Sequence, residues 1–222
     1  MQSFLYSICI NQNLSYMSYD IYLKDRVTKE TIDLPVKHIM TGGTYQAQYD
    51  EKTGQFSPAP ITEAWLNITY NYANYYYEVT DGDPRFAHDE ISAYYANGTT
   101  GPMVTEYGIR GIYGKTGAES IQMLKDMISR IEEKYKKDGE WITTQRTKRK
   151  YFDAKTKQEL DFMNDILGKM SKDEYVIEDY VVDLSEGPNE NYWESTAANA
   201  IKPLYQLLTM AELRPDGVWD GD

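Results

Sequence analysis

Ser18-Tyr-Asp-Ile-Tyr-Leu-Lys24 decides the fold class. Tyr19, Ile21 and Leu23 alternate with Asp20, Tyr22 and Lys24, the pattern of a half-buried β-strand. Asp25–Glu30 is turn-like, and Thr31–Leu34 reads as a short returning strand ended by Pro35. Gly42-Gly43 marks another turn. Tyr45–Tyr49 alternates again, and Glu51-Lys52-Thr53-Gly54 turns the chain before Pro58 and Pro60 close a β-rich first section.

Helical signals follow. Thr62 reads as an N-cap for a helix over Glu63–Val79, with Trp65, Ile68 and Tyr72 on one face. Thr80-Asp81-Gly82-Asp83-Pro84 breaks it. Phe86–Ala96 reads as a short helix stopped by Asn97-Gly98, and Tyr107–Tyr113 as a Gly-rich strand. The clearest helix is Ala118–Lys137, with a stripe of Ile121, Leu124, Ile128, Ile131 and Tyr135. Further on, Lys157–Met170 reads as a helix, Tyr175–Leu184 as a strand, and Ser195 or Thr196 to Leu213 as a last helix. Pro203 should kink that helix or shift its start. Trp219 is expected to dock back onto the domain. The fold class is therefore α+β: a small antiparallel sheet with several helices packed on it.

The 222 residues fit one domain with an insertion at about 139–188. Residues 1–16 have neither a basic n-region nor a sustained apolar h-region, which argues against a signal peptide. Met17 is read as the original start and residues 1–16 as an upstream read-through or a mobile arm. The net charge of −12 opposes binding to nucleic acid and anionic lipid and suits a basic partner. Charge is uneven: Lys134–Lys157 holds nine Lys and Arg against three Asp and Glu, a net of +6 against −18 elsewhere. No apolar run approaches 18 residues, so no membrane helix is expected. Cys9, the single cysteine, excludes an internal disulfide and any multi-cysteine zinc site, and fits a reducing compartment.

No motif fixes a chemistry. Gly114-Lys115-Thr116 resembles the end of a phosphate-binding loop, but Ile109 stands where that loop requires Gly. A weaker reading lets Lys115, Thr116 and the following helix start hold an anion, against a plain turn and N-cap. Asn67, Asn71 and Asn74 would share one face of the Glu63–Val79 helix, either binding a polar ligand or forming an internal hydrogen-bond network. His38 and His88 are the only histidines, and His88-Asp89-Glu90 lacks a second His at metal-ligand spacing. No carboxylate pair stands out for acid–base catalysis, so no catalytic residue, metal ligand or cofactor is assigned. The 21 tyrosines fit either a wet core or a binding surface. Arg146, Lys148, Arg149, Lys150 and Tyr151 form the core of the basic stretch, which reads as a solvated insertion or a docking surface for an acidic partner. Nucleic-acid stacking there is opposed by the acidic surroundings.

Ser18–Asp25, Gly42–Tyr45, Thr62–Tyr72, Gly108–Ser120 and Leu213–Asp222 together resemble an uncharacterised family of small phage- and prophage-associated proteins of Gram-positive bacteria. The similarity covers Ser18–Tyr135 and Asn191–Asp222 and leaves the basic insertion outside. It lends no catalytic residues. It implies a protein of the bacterial host cytoplasm. Taken with the Tyr excess and acidic charge, it suggests inhibition of an anti-phage defence component by protein contact. Two alternatives are capture of a nucleotide immune signal through the Asn set and Lys115, and a minor carboxylate hydrolase.

Overall fold

The computed structural model describes residues 18–39, 47–53, 55–91, 101, 103–166 and 168–221. The expected arm at 1–16, Cys9, Met17, the Gly42-Gly43 turn and the Asn97-Gly98 stop lie outside them. The strands in chain order are β1 (Ser18–Lys24), β2 (Asp33–His38), β3 (Ala47–Asp50), β4 (Gln55–Pro58), β5 (Ile61–Glu63), β6 (Trp65–Thr69), β7 (His88–Ile91), β8 (Met103–Glu106), β9 (Lys136–Lys137), β10 (Glu140–Trp141), β11 (Thr143–Asp153), β12 (Glu159–Leu160), β13 (Tyr175–Ser185) and β14 (Val218–Gly221). The α-helices are α1 (Ala73–Thr80), α2 (Gly117–Tyr135) and α3 (Ala197–Leu213). This is an α+β fold of small antiparallel sheets and several helices. The chain divides into two compact units, residues 1–138 with 187–222, and residues 139–186.

In the first unit, alternation in β1 does what the pattern requires. Tyr19, Ile21 and Leu23 are fully buried. Strand β1 is the centre of an antiparallel sheet ordered β14-β1-β6, with Tyr19 opposite Ile68 and Leu23 opposite Trp219. Helices α2 and α3 pack on each other, with Met123, Leu124, Met127, Ile131, Leu204, Leu207 and Met210 among their buried side chains. Trp219 is buried, and its indole N–H donates to Ser120 Oγ of α2 at 2.7 Å, tying the last strand to the longest helix. Gly117, at the start of α2, lies so close to the end of α3 that an added Cβ would sit 2.6 Å from the Arg214 carbonyl oxygen.

Several expectations are corrected. Glu63–Thr69 is not helical. Thr62 lies in β5, where its hydroxyl donates to Asp33 Oδ1 at 2.9 Å rather than capping a helix. Leu66, Asn67, Ile68 and Thr69 are all buried, so both faces of β6 are covered. A strand buried on both sides loses its period-2 signature and its apolar spacing can mimic a helix. Helical backbone begins only with a 3-10 turn at Tyr70–Tyr72 that leads into α1. His88–Ile91 is a strand, preceded by a 3-10 turn at Pro84–Phe86, and Ile109–Ile112 is a 3-10 turn rather than a strand. Within that turn an added Cβ on Gly111 would lie 2.4 Å from the Phe86 Cα, so close approach demands glycine. Beyond Thr31, which bridges Lys24, the chain pairs with β5, and β2 continues through Pro35. Lys157–Met170 holds β12 and a π-helical turn at Phe162–Ile166, not a regular helix. Helix α3 starts at Ala197 on an N-cap from Thr196 and carries the buried Pro203 within it.

The tyrosine excess has a structural use. The hydroxyls of Tyr72, Tyr75 and Tyr76 donate to the backbone carbonyls of Tyr192 at 2.5 Å, Ser195 at 2.8 Å and Ala200 at 2.8 Å. In the reverse direction the Thr69 N–H donates to Tyr192 Oη at 2.8 Å, and Ser195 Oγ donates to the Asn71 carbonyl at 2.6 Å. Each ring fills apolar volume while its hydroxyl satisfies a carbonyl of the irregular chain before and at the start of α3. Burial pushes the pKa of the Tyr72, Tyr76 and Tyr192 hydroxyls up, that of Tyr192 to about 12, so these three stay protonated at neutral pH.

Candidate protein-binding ribbon

The second unit is built on one long pairing. Strands β11 and β13 run antiparallel through eleven consecutive pairs, from Thr143 opposite Ser185 to Asp153 opposite Tyr175. At about 3.4 Å per residue such a ribbon is about 35 Å long. The β-branched residues Thr143, Thr144, Thr147, Val176, Ile177, Val181 and Val182 favour extended backbone. Strand β12 pairs only with Tyr151 and Phe152, so the sheet order is β12-β11-β13 and β13 is an edge. Near one end, Tyr151 packs on Phe162 with ring centres 5.1 Å apart and on Tyr175 at 5.9 Å, and Ile166 in the following turn is buried.

The register decides what becomes of the predicted partner-binding cations. Arg146 reaches the fully buried Glu186 at 2.6 Å, and Thr144 Oγ1 donates to the same carboxylate oxygen at 2.5 Å. Arg149 pairs with Asp179 at 3.2 Å. Lys150 pairs with Glu159 at 3.2 Å and lies over the Tyr180 ring at 5.6 Å. Lys148 sits opposite Tyr180. The basic strand is thus largely answered inside its own sheet. Residues 139–186 hold eight Lys and Arg against eleven Asp and Glu, a net of −3, so the basic window read from the sequence is one strand of an acidic unit.

The return strand presents the free groups. Val176, Ile177, Tyr180 and Val181 are 41, 46, 37 and 62% exposed. Glu178 and Asp183 carry no ion pair or hydrogen bond among the described residues. By the alternation of a strand, Val176, Glu178 and Tyr180 face one side, and Ile177, Asp179, Val181 and Asp183 the other. Apolar side chains exposed on both faces of a strand whose outer edge pairs with no strand among the described residues make a surface for association. The sequence identified β13 as a strand but could not say that its outer edge pairs with no strand among the described residues. That follows from pairing, which no local pattern encodes.

The ligand-binding set is not assembled. Asn67 is buried in β6, where its amide donates to Ser18 Oγ at 2.7 Å and Asp20 Oδ1 at 2.8 Å. Asn71 lies in the 3-10 turn and donates to the Trp193 carbonyl at 3.0 Å. Asn74 is exposed on α1. The three do not share a helix face, because only the last stands on a helix. Lys115 precedes a helix start already filled by its own anion. Thr116 Oγ1 accepts from the Glu119 N–H at 3.2 Å, and Glu119 Oε2 accepts the Thr116 N–H at 2.7 Å. These hydrogen bonds hold the Glu119 carboxyl below its usual range.

Two other places bear on the alternatives. A groove of about 190 Å³ between β2 and α3 is lined by Leu34, Val36, His38, Tyr205, Thr209 and Met210. His38 Nε2–H donates to the Glu63 carbonyl at 2.8 Å, which anchors the ring to the neighbouring strand. No carboxylate is among the lining residues. Asp83 and Asp126 are both engaged by arginines. Arg85 reaches Asp83 at 2.7 Å and Asp126 at 2.6 Å, and Arg130 reaches Asp83 at 2.8 Å. His88 lies opposite Glu106 in a separate two-stranded sheet. Among the described residues no group of His, Cys, Asp and Glu could hold a metal, and no helix is long and apolar enough to cross a membrane.

No protein-family model, curated protein or solved structure matches the chain.

Proposed function

We propose that the chain is a binding protein that acts by protein–protein contact, and that the outer edge of β13, with the exposed side chains on its two faces, forms the contact. The observation that carries this is the row Val176, Ile177, Tyr180 and Val181, exposed along a strand whose second edge pairs with no strand among the described residues. Two-stranded ribbons are marginal in water, and a third strand or a covering surface stabilises them. The narrower proposal is a phage-encoded protein that blocks a bacterial defence component. It is supported by the sequence resemblance, and by the net charge of −12, which can compete for a basic surface on such a target.

Phage challenge of bacteria carrying different defence systems tests both levels. The expected result is higher plating in at least one defended strain expressing the chain. Val181→Lys should lose that effect while keeping its circular dichroism spectrum. Full rescue by Val181→Lys would remove β13 from the contact. Absence of rescue in every strain would remove the defence target.

A further inference from the structure

We infer that the open edge of β13 takes a basic, extended segment of a partner protein as an added strand. This rests on the reading of the ribbon as the contact and names what it contacts. Three features of the molecule lead to it.

The first is that β13 is fit to be extended. Natural edge strands are blunted by bulges, by Pro and by charged side chains, Lys above all; the charges of β13 are acidic, so they turn away acidic strands and leave the edge open to a basic one. Strand β13 has no bulge, Pro or Lys from Tyr175 to Ser185, and its ladder to β11 runs in unbroken one-to-one register. Its backbone is therefore regular enough to template another strand over its whole length.

The second is charge. The strand carries Glu178, Asp179 and Asp183 and no cation. Glu178 and Asp183, without partners among the described residues, project to opposite faces. An added strand that answers both needs cations on both faces. Acidic strands and nucleic acid are repelled by the same carboxylates. So is a second copy of β13, in a chain of net charge −12.

The third is a template within the molecule. On its closed edge β13 already holds a strand of this chemistry. Strand β11 sets Arg146, Lys148 and Lys150 on one face and Arg149 on the other, with Thr147 opposite Val181. Arg149 answers Asp179, and Lys150 lies on Tyr180. Side chains of a strand project above and below the sheet, so they are offered to both edges alike. Strand addition of this kind takes affinity from backbone hydrogen bonds and specificity from alternate side chains.

The probe is a fluorescein-labelled peptide with the sequence of Thr143–Asp153, titrated with the whole chain and read by fluorescence anisotropy. The expected result is saturable binding that weakens with salt. Glu178→Lys with Asp183→Lys should weaken it at least about tenfold, since exposed charge pairs and like-charge clashes act together. Both positions are exposed and, among the described residues, outside any ion pair, and since Glu178 stands opposite Lys150 in the ladder, circular dichroism checks that the variant keeps its fold. Peptides N-methylated at every second amide retain charge but lose one set of backbone donors, and one of the two registers should fail to bind. Equal binding by both N-methylated peptides would overturn strand addition. Unchanged binding to the double variant would overturn the charge argument. A dimer in sedimentation that the double variant abolishes would assign the edge to a second copy instead. If the peptide does not bind while Val181→Lys still abolishes phage rescue, the ribbon reading survives and this inference falls. If the peptide binds while Val181→Lys rescues fully, the ribbon reading falls.

Discussion

Removing the Tyr76 hydroxyl tests how the tyrosines hold the first unit together. Tyr76 is fully buried and its hydroxyl meets the Ala200 carbonyl at 2.8 Å, linking α1 to the first turn of α3. Phenylalanine keeps the ring and its packing, so the loss is one hydrogen bond and a void of one oxygen. A net intramolecular hydrogen bond contributes about 1 kcal/mol, and a buried group left without its partner costs about 1–3 kcal/mol. Ala200 lies in a helix and can keep its intrahelical donor from Leu204, so Tyr76→Phe belongs near the low end, at about 1–1.5 kcal/mol. For a chain of this length that is a fall in Tm of about 2–6 °C. Tyr72→Phe and Tyr75→Phe act on the carbonyls of Tyr192 and Ser195, which lie before the helix. Those carbonyls are left with fewer protein donors, and each substitution should cost about as much or more. Tyr180→Phe on the ribbon is the control, because its ring is partly exposed, and it should shift Tm by less than about 1 °C. Differential scanning calorimetry of the four variants gives the answer. If all three buried substitutions matched the control, the tyrosines would be space-fillers and the hydrogen-bonded role assigned to them would be wrong.

Other outcomes follow from single contacts. Ser120→Ala leaves the Trp219 indole N–H without its acceptor and should destabilise by about 1–3 kcal/mol in urea unfolding, whereas Ser120→Thr should retain part of the bond. Gly111→Ala forces a Cβ against the backbone of Phe86 and should cost at least about 2 kcal/mol by the same assay. Thr116→Ala removes the hydroxyl that caps α2 and should cost about 1 kcal/mol, read as a lower urea midpoint. Arg85 first, and then Arg130, hold the Asp83 carboxyl well below the usual carboxylate range. A carboxyl depressed in the folded state contributes stability that is present above its unfolded value of about 4 and is lost as pH falls toward the lowered folded value. Tm should therefore fall between about pH 4 and pH 2 more steeply in the wild type than in Asp83→Asn, and equal slopes would count against this cluster.

How far the sequence speaks depends on whether a residue's environment is local. Strand β1 alternates because one face is buried and the other is not, so Tyr19, Ile21 and Leu23 announce themselves. Helix α2 is legible for the same reason, through its stripe and its Thr116–Glu119 capping box. Strand β6 is not, because it is covered on both faces and Trp65, Ile68 and Tyr72 happen to fall at helical spacing. The Asn67, Asn71 and Asn74 grouping fails with that helix. The groove beside His38 is also silent in the sequence, since Leu34 and Tyr205 are 171 positions apart. The ribbon is the instructive case. Its cations stand out in the sequence, yet they are the groups that the fold answers, through Glu186, Asp179 and Glu159. The groups left free, Glu178 and Asp183, look ordinary in a chain with 35 carboxylates. Pairing register, not composition, reverses the sign of the partner that the unit is suited to meet.

Amide hydrogen exchange of the whole chain, alone and with the Thr143–Asp153 peptide, tests the contact most directly. The account predicts that alternate amides of Val176–Asp183 exchange quickly in the free chain, as an open edge should, and become protected when the peptide binds, while the amides of α2 and α3 do not change. Protection confined to the groove between β2 and α3, or peptide binding with no protection along β13, would contradict it.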